Sequence, residues 1–208
     1  MSRKSPSGYT PARATKHTIG ELAKLLERQG GGCDICCESM TKDTLKSSYI
    51  IDPSSGGNAF IGNIRLLCDK CQDRWLKRAP YKFNDVIPCG TKEDDHMIAL
   101  FSWIRSKENP FKEAHRMFHV PNGGKRGIRE GARFKKMGVS AGVPDLHLPV
   151  PRRGFTGLYI ELKVGTNKPE EAQYEWLQHL HNEGAKAVWC TGWQSARETL
   201  VWYLSQAD

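Results

Sequence analysis

Two short cysteine pairs constrain this chain more than any other feature: Cys33 with Cys36, and Cys68 with Cys71, with thirty-one residues between them. Each Cys-x₂-Cys turn presents two sulfurs on one side, and a tetrahedral Zn²⁺ takes four. The segment between the pairs must therefore fold back on itself to form a small module around the metal. Seven cysteines are an odd number, and Cys37, Cys89 and Cys190 are left over. That pattern fits metal-binding and free thiols in a reducing compartment rather than a disulfide framework. Cys37, beside Cys36, replaces a ligand if the register slips.

A chain of 208 residues has room for such a module plus one mid-sized domain, and 38% hydrophobic with 26% charged residues is ordinary for a soluble globular protein. No apolar run approaches a membrane span, and MSRKSPSGYTPARATKH lacks the apolar stretch of a signal peptide. The expectation is a cytoplasmic protein with no membrane contact and no small-molecule organic cofactor. Composition divides the chain into a flexible basic tail (1–16), a zinc-binding module (17–78), a linker containing Pro80 and Pro88 (79–90) and a second domain (91–208).

In the module, Ile19, Leu22, Ala23, Leu25 and Leu26 lie at helical spacing between His17 and Gln29, and Gly30, Gly31 and Gly32 stop the helix. The second domain reads αβαββαβα. Thr91-x-x-Asp94 resembles a capping box ahead of a helix through Met97, Leu100, Phe101 and Ile104. A strand from His115 to Pro121, the loop NGGKRG and a basic helix from Ile128 to Met137 follow. VPDLHLP and LYIELKV form a hairpin. Pro169 opens a helix to Asn182, AKAVWCTG is a strand, and Ser195 to Ser205 is the last helix. Trp176, Leu177 and Leu180 sit at core spacing on the helix that Pro169 opens, the first element after the hairpin.

Net charge is +8, and eight Lys or Arg face two Glu between Lys112 and Lys136. Such a patch favours a polyanion such as DNA. Lys125 and Arg126 in the glycine-rich loop, and Arg129, Arg133, Lys135 and Lys136 on the basic helix, are the candidate phosphate contacts, with Asn122 at the loop's entry. The plainer reading is a strand-to-helix turn and a solvated helix face.

LYIELKV places Glu161 and Lys163 on one face of a strand, because residues two apart point the same way. Spacing alone favours a surface salt bridge. Asp145 on the neighbouring hairpin strand changes the chemistry. Two close carboxylates repel unless a cation lies between them, and all-oxygen ligands suit Mg²⁺ or Mn²⁺. Lys163 would then position a nucleophile or counter charge developing on a phosphate. His147 shares the face of Asp145 and is within reach of a substrate there.

Pro144-Asp145 followed by Glu161-Leu162-Lys163 resembles the PD-(D/E)xK nuclease signature. The phrases HVPNGGKR, MGVSAGVPDLHLP, GLYIELKVG and Gln173-x-x-Trp176 resemble its VRR-NUC branch. The resemblance implies a restriction-endonuclease-like α/β core with a mixed central sheet flanked by helices. It implies that Asp145, Glu161 and the Leu162 carbonyl hold the catalytic metal, that Lys163 serves catalysis, and that Gln173 supports the site. An acidic residue of the first helix joins them, Glu93 by spacing, with Asp94 as the alternative. The resemblance also implies a homodimer and a role in DNA replication, repair or recombination, in a host cytoplasm if the gene is phage-derived.

The module resembles an HNH endonuclease through Cys33-x₂-Cys36, SYIIDPSSGG and GNIRLLCDKCQ. That family's motif puts its catalytic His at position 50, where this chain has Ile50, after Tyr49. Neither side chain is a general base. Asn63 matches the family's Asn, whereas Gln72 stands where another Asn is usual. The expectation is a degenerate module that keeps a structural zinc and serves DNA binding or support. The expected whole is a metal-dependent DNA endonuclease; the alternative is a non-catalytic, zinc-containing DNA-binding protein.

Overall fold

In the computed structural model, which describes residues 17–41, 43–77, 87, 89–121, 128–152 and 154–205, the second domain is organised around strand β5 (Leu158–Lys163). It pairs antiparallel with β4 (Leu146–Leu148) and parallel with β6 (Lys186–Thr191), and β4 pairs antiparallel with the short β3 (Phe118–His119). The sheet order is β3-β4-β5-β6. Helix α5 (Glu171–Asn182) makes the crossover that a parallel β5–β6 pair requires. Leu158, Ile160 and Leu162 of β5 join Leu100 and Trp103 of α3 (Glu93–Ile104) and Leu200 and Tyr203 of α6 (Gly192–Leu204) in one core. The fold class is therefore mixed α/β, with a four-stranded mixed sheet and helices against it.

The first module contains α1 (Ile19–Arg28), an antiparallel hairpin of β1 (Lys46–Tyr49) and β2 (Ile64–Leu67), and α2 (Asp69–Lys77). Thr18 and Glu21 cap α1 reciprocally: the Thr18 hydroxyl accepts from the Glu21 N–H at 3.2 Å, and Glu21 accepts from the Thr18 N–H at 2.8 Å. Leu25, Tyr49, Ile64, Leu66 and Leu67 form its core with Cys33 and Cys71.

The two parts share an interface along β6, the sheet's outer strand. The Thr191 N–H donates to the Gly56 carbonyl at 3.1 Å, and the Asn58 amide donates to the Trp189 carbonyl. A Cβ at Gly62 would collide with the Ala187 carbonyl, so glycine permits the close approach. Covering this strand removes an unpaired edge.

Three elements differ from the sequence reading. Between His115 and Pro121 the chain forms a 3₁₀ turn (Lys112–Arg116) before the two-residue β3, because Ala114 and Met117, three apart, are both buried. The cap of α3 is Lys92, whose N–H donates to Asp95 at 3.1 Å, not a Thr91–Asp94 pair. Helix α6 begins at Gly192, three residues before Ser195, because His96 Nδ1 on α3 accepts from the Trp193 N–H at 3.1 Å.

Candidate active site

Strand β5 is buried on both faces, so Glu161 and Lys163 do not form the surface pair that spacing alone favours. Glu161 is 0% exposed and Lys163 8%. Lys163 Nζ lies 2.6 Å from Glu161 Oε1 and 3.7 Å from Glu93 Oε1. The Gln173 amide also donates to Glu161 Oε1, while its own oxygen accepts from the Glu170 N–H at 2.9 Å at the start of α5. Glu161 Oε2 is buried and has no hydrogen-bond partner among the described residues. Asp145, at the entrance to β4, accepts from the Leu162 N–H at 2.9 Å and so stands beside β5.

These surroundings set the charges. Burial, and then the Asp145 charge, push the Glu161 carboxyl up to about 7 against the pull of Lys163. Burial draws the Lys163 ammonium down, but Glu161, Glu93 and Asp145 together hold it above its ordinary value. Lys163 is thus a cation at neutral pH, suited to donate to an anion rather than to take a proton.

Glu93, not Asp94, is the acid of α3 beside Lys163; Asp94 is on the exposed side. Glu93, Asp145 and Glu161 do not draw their oxygens into one tight group. Among the described residues, the cluster of metal-ligating side chains with all ligand atoms within 4.8 Å of one another is Cys33, Cys36, Cys68 and Cys71. Lys163 fills the space between Glu161 and Glu93 instead. Arg133, Lys135 and Lys136 are exposed in the last turn of α4 (Ile128–Lys136). Asn122, Lys125 and Arg126, and the side chain of Arg129, lie outside the described residues. Trp176 is not a core residue as its spacing suggests; half-buried, it donates to the Ala141 carbonyl at 3.1 Å.

Sequence reasoning missed a row of rings on the same face. Phe118, His147 and Tyr159 are direct cross-strand partners on β3, β4 and β5. His147 stacks on Tyr159 at 4.0 Å between centroids and Phe118 meets His147 edge-on at 5.2 Å. The alternation of β5 signals Tyr159, but nothing in the sequence gives the register that adds Phe118.

At the four cysteines, Cys36 Sγ and Cys68 Sγ are 3.7 Å apart. A tetrahedron with metal–sulfur bonds of about 2.3 Å has edges of about 3.8 Å, so the donor set fits a metal ion. Burial raises the Cys33 thiol, but backbone N–H groups of Cys36, Cys68 and Ile35 outweigh it and bring it to about 7; burial pushes Cys71 up to about 12.

The positions that match HNH chemistry are structural. Ile50 is 1% exposed and packs in the core of the second domain. Asn63 uses its amide on the Ile51 and Asn58 carbonyls and accepts from the Ile51 N–H. Gln72 turns inward to Ser47 and Ser48.

A buried carboxylate–lysine pair on a mixed sheet and a four-cysteine module make up a two-part protein. Residues 97–194 match the family model of the VRR-NUC domain, and residues 33–85 match that of HNH endonuclease. The chain belongs to the VRR-NUC domain proteins, with an HNH-type module ahead of that domain. A solved structure described as a VRR_NUC domain protein is 32% identical, over 59% of this chain and 94% of that chain, with a TM-score of 0.49. No curated protein matches the chain. Among the described residues, no helix is long and apolar enough to cross a membrane.

Proposed function

We propose that this protein is a divalent-metal-dependent DNA endonuclease that hydrolyses phosphodiester bonds at Asp145, Glu161 and Lys163, selects its substrate by structure, and serves replication, repair or recombination. In this reading residues 91–208 form the nuclease domain, residues 17–78 a supporting module, and Cys33, Cys36, Cys68 and Cys71 hold a structural Zn²⁺. The observation that carries the reading is Glu161: a carboxylate with no exposed surface, one oxygen on Lys163 and the other without a partner among the described residues. An unpartnered buried oxygen, on a carboxyl raised in pKa by burial first and then by a second carboxylate, fits a cation and is costly without one.

Asp145, Glu161 and the Leu162 carbonyl would hold that cation, with Glu93 across Lys163, and it would supply Lewis acidity towards a phosphate oxygen. Gln173 fixes the Glu161 rotamer from the first turn of α5. Lys163, charged and already between two carboxylates, donates to a non-bridging phosphate oxygen as negative charge develops there. Water adds to phosphorus and gives up a proton to solvent, the bond to the leaving oxygen of the backbone breaks, and that oxygen takes a proton from solvent to leave as a hydroxyl. Arg133, Lys135 and Lys136 hold flanking phosphates.

The test is cleavage of linear, nicked, flapped and four-way DNA with Mg²⁺ or Mn²⁺, beside Lys163→Ala and Asp145→Asn. Cutting by the parent and a loss of at least about a hundredfold in each variant are expected. No cleavage with either metal, or variants that cut as well as the parent, would end this reading.

A further inference from the structure

The ring row ends on an unusual surface. Tyr159 is two residues from Glu161 on the same face of β5, so the stack begins beside the carboxylate and runs outward across β4 to β3. Its inner members behave as an ordinary cross-strand pair: His147 lies flat on Tyr159, with 8° between the planes. Phe118 does not. It closes the row on the outermost strand and is 47% exposed, although it is a large apolar side chain braced by its neighbours.

Phe118 also borders a groove of about 400 Å³ between α3 and β3. Ile98, Phe101 and Arg105 line it from the helix, and Phe118 and His119 from the strand. Ile98 is 66% exposed, and the Arg105 guanidinium lies 5.3 Å from the Phe101 ring centre. The described lining has a cation and a histidine but no carboxylate, and exposed His115 and Arg116 precede the strand. Flat apolar rings with cationic neighbours suit a strand of stacked bases joined by phosphates. A second polypeptide finds little here to pair with, because β3 is two residues long.

We propose that Phe118, braced by His147 and Tyr159, is a stacking platform for an unpaired base of the DNA strand whose backbone reaches Glu161 and Lys163, and that the α3–β3 groove takes that strand onward. This rests on the nuclease reading of the same face and adds its substrate class: DNA with a single-stranded segment next to the cut. Duplex DNA keeps its bases stacked inside and gains nothing from the platform.

The test is binding without divalent metal, which separates it from cleavage. A single-stranded oligonucleotide, a flap carrying 2-aminopurine in its unpaired arm, and a blunt duplex are titrated against the parent, Phe118→Ala and Phe118→Trp. Phe118→Ala is expected to weaken the first two by roughly tenfold and leave the duplex within about a factor of two, with Phe118→Trp restoring both affinity and quenching of the base's fluorescence. Equal loss on all three DNAs, or loss on none, overturns the platform. So does a Phe118→Ala protein that binds as the parent does but sediments as a smaller species, which assigns the groove to contacts between copies. A parent that cuts no DNA yet shows the ring-dependent quenching sinks the nuclease reading and keeps the platform.

Discussion

At the scale of single residues, Glu161 is the group on which the site turns. Its folded-state pKa of about 7 means that protons compete with a cation for the same oxygens. The half-saturating Mg²⁺ or Mn²⁺ concentration is therefore expected to rise by about tenfold per pH unit below 7 and to level off above it, measured by cation titration of cleavage at fixed pH. Gln173 acts through Glu161. Gln173→Ala is expected to raise the half-saturating cation concentration by about 10- to 100-fold with the DNA affinity unchanged, which separates loss of a positioning contact from loss of the fold. Asp145, Glu161, Lys163 and Gln173 were all readable as candidates, because a strand's two-residue period and a motif's spacing survive in the linear text. The burial of the pair was not readable. It comes from β4 and β6 on either side and from α5 above, which no local pattern specifies.

At the scale of elements, the 50–63 segment joins the module to the second domain. Ile50 fills the neighbouring core, and Gly56 and Gly62 bring backbone against β6. Gly62→Val is expected to cost more than about 2 kcal/mol in chemical unfolding, because its branched side chain meets the Ala187 backbone and neither chain can yield. With a metal bound as proposed, the four cysteines would anchor this segment at one remove. Stripping metal with a strong chelator is expected to speed amide exchange at Thr191, whose N–H donates to Gly56, while Leu158 to Lys163 stay protected. Exchange at Thr191 that ignores the chelator would show that the clamp stands without the metal. The cysteine spacing announced the module. That the 50–63 segment would lie against a sheet edge could not be read, since it depends on glycines that look like ordinary turn residues.

At the scale of the whole molecule, the two parts meet around buried basic groups. Lys186, at the start of β6, is 1% exposed, with Nζ 4.7 Å from the Trp202 ring centre and 5.0 Å from that of Phe155. Burial first, then Arg65 and Arg28, bring its pKa from 10.5 to about 7 against the pull of Asp34. His181, packed against Phe60, is depressed by burial and by Lys186 to about 3. Both are bases with lowered folded-state pKa values, so the unfolded chain binds more protons and stability rises as pH rises: from about 7 to 10.5 for Lys186, and from about 3 to 6.5 for His181. Lys186→Met is expected to gain about 1 kcal/mol at pH 7, roughly 2–4 °C in thermal midpoint, and to flatten the alkaline rise. An unchanged midpoint and slope would mean that Lys186 keeps its charge at the joint. By itself the sequence determined the metal-ligand spacing, the mixed αβ order of the second domain and the residues that share the face of Glu161, because each is written in periodicity or spacing along the chain. Only the tertiary structure decided that Glu161 is buried, that Glu93 rather than Asp94 stands beside Lys163, that three rings align across three strands, and that the module lies against the β6 edge of the sheet. Each of these depends on register and on approach between segments far apart in sequence, and local residue patterns carry neither.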